Sequence, residues 1–173
     1  MRNAGRGLAH AAVAATILLS AMAWAAEPPK TNGTLYEMEV MGVAPDPASG
    51  TPVVYLRGTQ DKRDLSMFIG PFEAQGILLP LQRIQPPRPY THDLMLEAIH
   101  RLHAKVKRVV ITDMRDSTYF ANLILDARGT EVVLDSRPSD AIALALRENA
   151  PILAAEKAFV RTPQAGRPEG ENP

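Results

Sequence analysis

Three observations predict an α+β fold in a single domain. Alternating or β-branched segments come in two runs of three. Two segments of helical period separate those runs, and a third follows them. No strand-helix-strand alternation of the kind that builds a doubly wound parallel sheet occurs. The order βββ-α-α-βββ-α implies a mixed, largely antiparallel β-sheet structure with three to four helices. The 173 residues suffice for one good core but not for two ordinary domains. With 46% hydrophobic and 22% charged residues, disorder of the whole chain is excluded.

Residues 1–25 stand apart. Arg2 and Arg6 precede an Ala-rich apolar run from Ala11 to Met22, and Ala23-Trp24-Ala25 offers small residues at the two positions a signal peptidase reads. This is the pattern of a signal peptide cleaved after about Ala25, and it places the mature chain in the periplasm or outside the cell. The run is short and weakly apolar beside the roughly 20 strongly apolar residues of a spanning helix, so no membrane span is expected after cleavage. An uncleaved anchor, or a cytoplasmic form starting at Met38 or Met41, are the alternatives. Residues 26–34, with two prolines and an Asn-Gly, read as a linker. Residues 161–173 hold three prolines and two glycines with no large apolar side chain and read as a disordered tail. The folded part is then 35–160.

Within it, Leu35 to Val43 sets Tyr36, Met38 and Val40 against Glu37 and Glu39, the alternation of a half-buried strand. Pro52 to Arg57 and Leu65 to Ile69 are two further strands. Gly70-Pro71 opens a helix, because a proline in the first turn lacks only an N–H that has no helical partner anyway; the helix is expected to stop at Pro80. Gln82 to Tyr90 contains Pro86, Pro87 and Pro89 and is an extended loop. Thr91 is the expected cap of the next helix, whose Leu94, Met95, Ala98, Ile99 and Leu102 form one apolar face, with His100 and His103 on the solvated side. Val106 to Thr112, Thr118 to Leu125 and Glu131 to Asp135 are strands joined by tight turns. Ser139 is the expected N-cap of a last helix. Its Ala141 to Leu146 stretch is apolar enough to need cover from the core or from a second subunit. Ile152-Leu153 can form a short strand, and Ala155 to Phe159 a final helical turn.

Charge and composition narrow the function. Basic and acidic side chains number 19 each, and loss of Arg2 and Arg6 leaves 17 basic against 19 acidic. Tight non-specific binding to nucleic acid through a basic surface is thereby disfavoured. The absence of cysteine removes thiol nucleophiles and thiolate zinc sites. No nucleophile elbow, HExxH, phosphate loop or dinucleotide fingerprint is present.

Polar residues gather instead at three loop-to-helix junctions: Gly70-Pro71-Phe72-Glu73, Arg88-Pro89-Tyr90-Thr91-His92-Asp93 and Asp135-Ser136-Arg137-Pro138-Ser139-Asp140. Helix starts offer free N–H groups to anions. Glu73, Asp93 and Asp140 could hold Mg²⁺ or Mn²⁺. His92 is a ligand or a general base, and Arg88 and Arg137 could grip a phosphate. Taken alone, the same residues equally describe helix caps and ion pairs, since helix starts favour them for that reason.

The junction segments Ile69-Gly70-Pro71-Phe72-Glu73-Ala74, Pro86 to Leu94 and Arg137 to Ala145 resemble the signature segments of the bifunctional nuclease family. Val109 to Asp113 and Ala150-Pro151-Ile152 also fit, so the likeness spans about Tyr36 to Phe159. Ser136 departs from the alanine expected there, and an export signal departs from the cytoplasmic location typical of bacterial members. The resemblance implies a compact homo-oligomeric α+β domain that cleaves RNA and DNA. It makes His92, Asp93 and Asp140 candidate catalytic residues, Arg88 and Arg137 candidate phosphate binders, and Glu73, Asp93 and Asp140 candidate metal ligands. The rival expectation is a non-catalytic, oligomeric binding or scaffold protein of the periplasm whose polar junctions fix helix starts.

Overall fold

The computed structural model describes residues 33–159. The expected signal peptide, most of the linker and the tail lie outside the described residues. The elements are β1 (Leu35–Pro45), β2 (Pro52–Gly58), β3 (Asp64–Phe68), α1 (Pro71–Leu81), α2 (Thr91–Arg101), β4 (Ala104–Arg115), β5 (Thr118–Ala127), β6 (Thr130–Ser136), α3 (Pro138–Glu148) and β7 (Ile152–Ala155), then a single 3₁₀ turn at Glu156–Ala158. This is the predicted α+β domain, with three α-helices.

The two antiparallel meanders are parts of one seven-stranded sheet of order β3-β2-β1-β7-β4-β5-β6. The joint is β7, antiparallel to β1 and parallel to β4. Residues directly opposite each other across strands share a face. Val40 faces Leu56, Met38 faces Ile152, Ile152 faces Val109 and Val109 faces Leu123, so one apolar face runs across both meanders. α1 packs against β1 and β2, and α3 against β4 and β5, with α2 beside α3 and β4.

α3 is the central helix. Ala141 to Ala145 are fully buried against this face and against α1. Its apolar surface is therefore covered from within the chain, and no second subunit is needed to cover it. Among the described residues no helix is long and apolar enough to cross a membrane.

Local details correct several expectations. α1 does not stop before Pro80 but runs through it to Leu81. Pro80 has no N–H to give Gly76, four residues earlier, so that carbonyl needs another donor. α2 begins one residue earlier than expected: Tyr90 is the N-cap, and Asp93 rather than Thr91 supplies the cap by accepting the Tyr90 N–H at 2.8 Å. α3 is likewise preceded by Arg137 as N-cap, and Ser139 lies buried in its first turn with no capping bond. His100 is not merely solvated: its Nε2 lies 2.8 Å from Glu148 Oε2 of α3. At the β4–β5 turn, Asp116 and Ser117 both have positive φ (48° and 61°), the requirement of a type I′ turn, met here without glycine.

Candidate active site

The three acidic candidates occupy equivalent places. Glu73, Asp93 and Asp140 are each the third residue of their helix, where a carboxylate suits the positive end of the helix dipole. Their partners separate them into two networks.

The first contains Glu73, His92, Arg137 and Asp140. Arg137 donates Nε to Asp140 Oδ2 at 2.7 Å, Nη2 to Asp140 Oδ1 at 3.1 Å and Nη1 to Glu73 Oε1 at 2.8 Å. His92 Nε2 lies 3.1 Å from Asp140 Oδ1. A guanidinium has five N–H donors. Three are used here, leaving one free on each terminal nitrogen, and the Arg137 side chain is 66% exposed. His92 is held back from solvent, with its side chain only 12% exposed.

Two glycines make this packing possible. A Cβ on Gly70 would collide with the Glu73 carboxylate, and one on Gly76 would lie 2.7 Å from His92 Cε1. Real Cβ atoms do not approach that closely, so α1 must be bare at Gly76 for the imidazole to lie against it.

The second network is built on a residue that the sequence analysis did not single out, Arg147. Its side chain is 8% exposed. Nε donates to Asp93 Oδ1 at 2.6 Å, and Nη1 donates to the carbonyls of Gly76 at 2.7 Å and Ala143 at 2.8 Å. Arg147 thus supplies the donor that Pro80 cannot give to Gly76, and ties α1, α2 and α3 together. The signal was in the sequence: a proline inside a helix frees the carbonyl four residues before it. Asp93, with one oxygen on Arg147 and the other on the Tyr90 N–H, belongs here and not with Asp140. Arg88 joins neither network. It is exposed on the loop between α1 and α2 and has no ion pair among the described residues.

The electrostatics follow from these bonds. Burial alone would raise the Asp140 carboxyl, but hydrogen bonds from Arg137 and His92 hold it below the ordinary aspartate value of 3.8. Burial is likewise outweighed at Asp93 by the bonds from Arg147 and the Tyr90 N–H. Arg137 is raised by its bonds to Asp140 and Glu73 and is firmly cationic.

An open cleft of about 570 Å³ lies beside the first network. Phe68, Ile69, Gly70 and Glu73 form one wall, Arg137 to Ser139 a second, and Ser117, Thr118 and Tyr119 of the β4–β5 hairpin a third. Glu73 and Arg137 line it; His92 and Asp140 stand behind Arg137. Its chemistry is that of an anion site: a fixed cation with free donors, a carboxylate alongside and hydroxyl groups opposite.

Most of the carboxylate oxygens proposed as metal ligands accept hydrogen bonds in this structure. Both Asp140 oxygens are engaged by Arg137, both Asp93 oxygens are engaged in the other network, and one Glu73 oxygen accepts from Arg137. Among the described residues no three His, Cys, Asp or Glu side chains are grouped to hold a metal.

Comparison with known proteins agrees with the resemblance carried by the helix-start segments. Residues 54–164 match the model of the bifunctional nuclease domain. A Mycobacterium tuberculosis protein, named only as uncharacterized in two strains, is 38% identical over 120 residues, covering 69% of this chain and 71% of the relative. Bifunctional nuclease 1 of Oryza sativa subsp. indica is 36% identical over 98 residues, covering 54% of this chain and 30% of the rice protein. The bifunctional nuclease of Oryza minuta matches to the same extent. With most of its described sheet and all three of its helices inside the matched region, this chain belongs to the bifunctional nuclease domain family.

Proposed function

We propose that the chain is a nuclease that hydrolyses phosphodiester bonds of RNA and DNA, exported to the periplasm or beyond. One observation carries the proposal: Arg137 lines an open cleft, is held there by two carboxylates, and has one N–H on each terminal nitrogen not taken up by them. That fork can take two oxygens of one phosphate. Glu73, whose Oε1 is engaged by Arg137, has a second oxygen that can take a proton from the attacking water. Asp140 and His92 are positioning residues: Asp140 fixes the plane of the guanidinium, and His92 fixes Asp140. Support for the nuclease assignment comes from the family match and from the names of the rice relatives. Mg²⁺ or Mn²⁺ bound together with the substrate phosphates would take its protein ligands from Glu73, Asp93 or Asp140.

The test is hydrolysis of RNA and DNA oligonucleotides by the purified chain in EDTA, Mg²⁺ and Mn²⁺. Arg137→Ala and Glu73→Gln are each expected to lose about 100-fold or more in kcat/KM, within the range for removing a group that acts in the transition state. Equal cleavage by wild type and both variants would trace the activity to a contaminant.

The scaffold reading keeps one observation in its favour. Asp93 and Arg147 bind each other and tie the three helices together, which is a structural use of two charged residues. It predicts that all the polar-junction variants lose stability alike.

A further inference from the structure

The segment that brings Glu73 to the cleft carries two aromatic rings that the fold leaves in solvent. Phe72, adjacent to Glu73 in the first turn of α1, is 84% exposed, and Phe68, at the end of β3, is 67% exposed. Burying a phenylalanine is worth roughly 1.5–3 kcal/mol, so a fold that leaves two of them out beside one site forgoes a sizeable gain. Phe68 lines the same cleft as Arg137, with Tyr119 on the hairpin wall. Phe72 lies over a second groove of about 490 Å³ along α1, bounded by Pro52, Gln75 and Leu79. The short segment from Phe68 to Phe72 thus lends residues to both depressions.

We propose that this segment is a stacking platform for unpaired nucleobases, and that the chain takes single-stranded nucleic acid in preference to duplex. The proposal rests on the nuclease reading and names its substrate class. Two features carry it. An aromatic ring can stack on any base whose face is free, whereas bases inside a duplex already have both faces covered. The electrostatics also point away from a duplex. Among the described residues that line the cleft, Arg137 alone offers cationic donors, with Glu73 beside it, and the whole chain has equal numbers of acidic and basic residues. Attraction to the dense charge of a duplex backbone is weak here, so affinity must come from stacking.

Fluorescence anisotropy on the full chain tests this, with a nuclease-resistant phosphorothioate oligothymidylate against a duplex of equal length, in EDTA and in Mg²⁺. Cleavage of the unmodified strand is followed in parallel. Single strand is expected to bind at least ten-fold tighter than duplex. Phe72→Ala and Phe68→Ala should each weaken it by about ten-fold, in keeping with the loss of one stacked base, while Phe72→Tyr restores binding. Affinity should fall only shallowly with salt, with a log–log slope of about −0.7 to −1.4 for one or two phosphates. Melting temperatures should not move, since both rings are exposed.

Equal affinity for duplex, a steep salt dependence or unchanged binding by both alanine variants would overturn the platform. If the wild type cleaves the unmodified strand in that case, the nuclease assignment stands alone. A wild type that neither binds nor cleaves would take both down. A Phe72→Ala protein that elutes as a smaller species while binding normally would assign the ring to a subunit contact instead.

Discussion

Arg147 and Arg137 each grip an aspartate at the third position of a helix, and the two pairs serve different ends. Arg147 is buried, and its donors go to Asp93 and to two backbone carbonyls inside the helical layer. Arg137 reaches the surface, uses three donors on Asp140 and Glu73, and keeps two for whatever enters the cleft. Residue type and helix position are the same in both. What separates a strut from a hand is burial and where the donors go: into carbonyls between the helices in one case, onto carboxylates at the edge of an open cleft in the other. Buried pairs are costly to break because the surviving charge has nowhere to go, whereas exposed pairs contribute little.

The largest effect should come from breaking the strut. Arg147→Ala strands Asp93 and leaves the Gly76 carbonyl without the donor that Pro80 cannot supply, so about 3–5 kcal/mol should be lost in urea unfolding. A loss under about 1 kcal/mol would erase the distinction drawn between the two arginines. Next comes Gly76→Ala, which drives a methyl into the His92 ring between the two networks and should cost about 1–3 kcal/mol, as overpacking does. The same variant should lower activity, because His92 can no longer support Asp140. Smallest is the acid response. Asp93 and Asp140 have folded-state pKa values below the ordinary 3.8, so their stabilisation is complete above that value and disappears as pH falls through the lower folded values. An Asp93→Asn, Asp140→Asn double variant should be less stable at pH 7 and show a shallower decline in Tm on acidification. A decline as steep as that of the wild type would place the acid sensitivity elsewhere.

Much of the fold was legible because it is encoded locally. The alternation of Tyr36, Met38 and Val40, the Gly-Pro helix start and the tight turn between β4 and β5 each declare an element within a few residues. The parts that were not legible depend on distance along the chain. Four residues of β7 carry no sign that they will sit between β1 and β4, since pairing partners more than a hundred residues apart leave no local trace. The site shows the same division. The three polar junctions hold Glu73, His92, Arg137 and Asp140, which do lie together, but the reading also placed Asp93 and Arg88 with them. An aspartate beside a histidine in sequence turns the opposite way in a helix start when its own backbone and a distant arginine compete for it. Arg147 was hidden because a basic residue in the last turn of a helix ordinarily faces water.

The late position of β7 has a bearing on how the chain comes to be folded. Before Ile152–Ala155 is in place, β1 and β4 each present an unpaired edge, and the two halves of the sheet have no strand in common. Such edges invite pairing with other chains. A chain synthesised only as far as Ile152 would therefore keep the sheet unfinished, and truncation just before Ile152 should give two sticky strand clusters in place of one smaller domain.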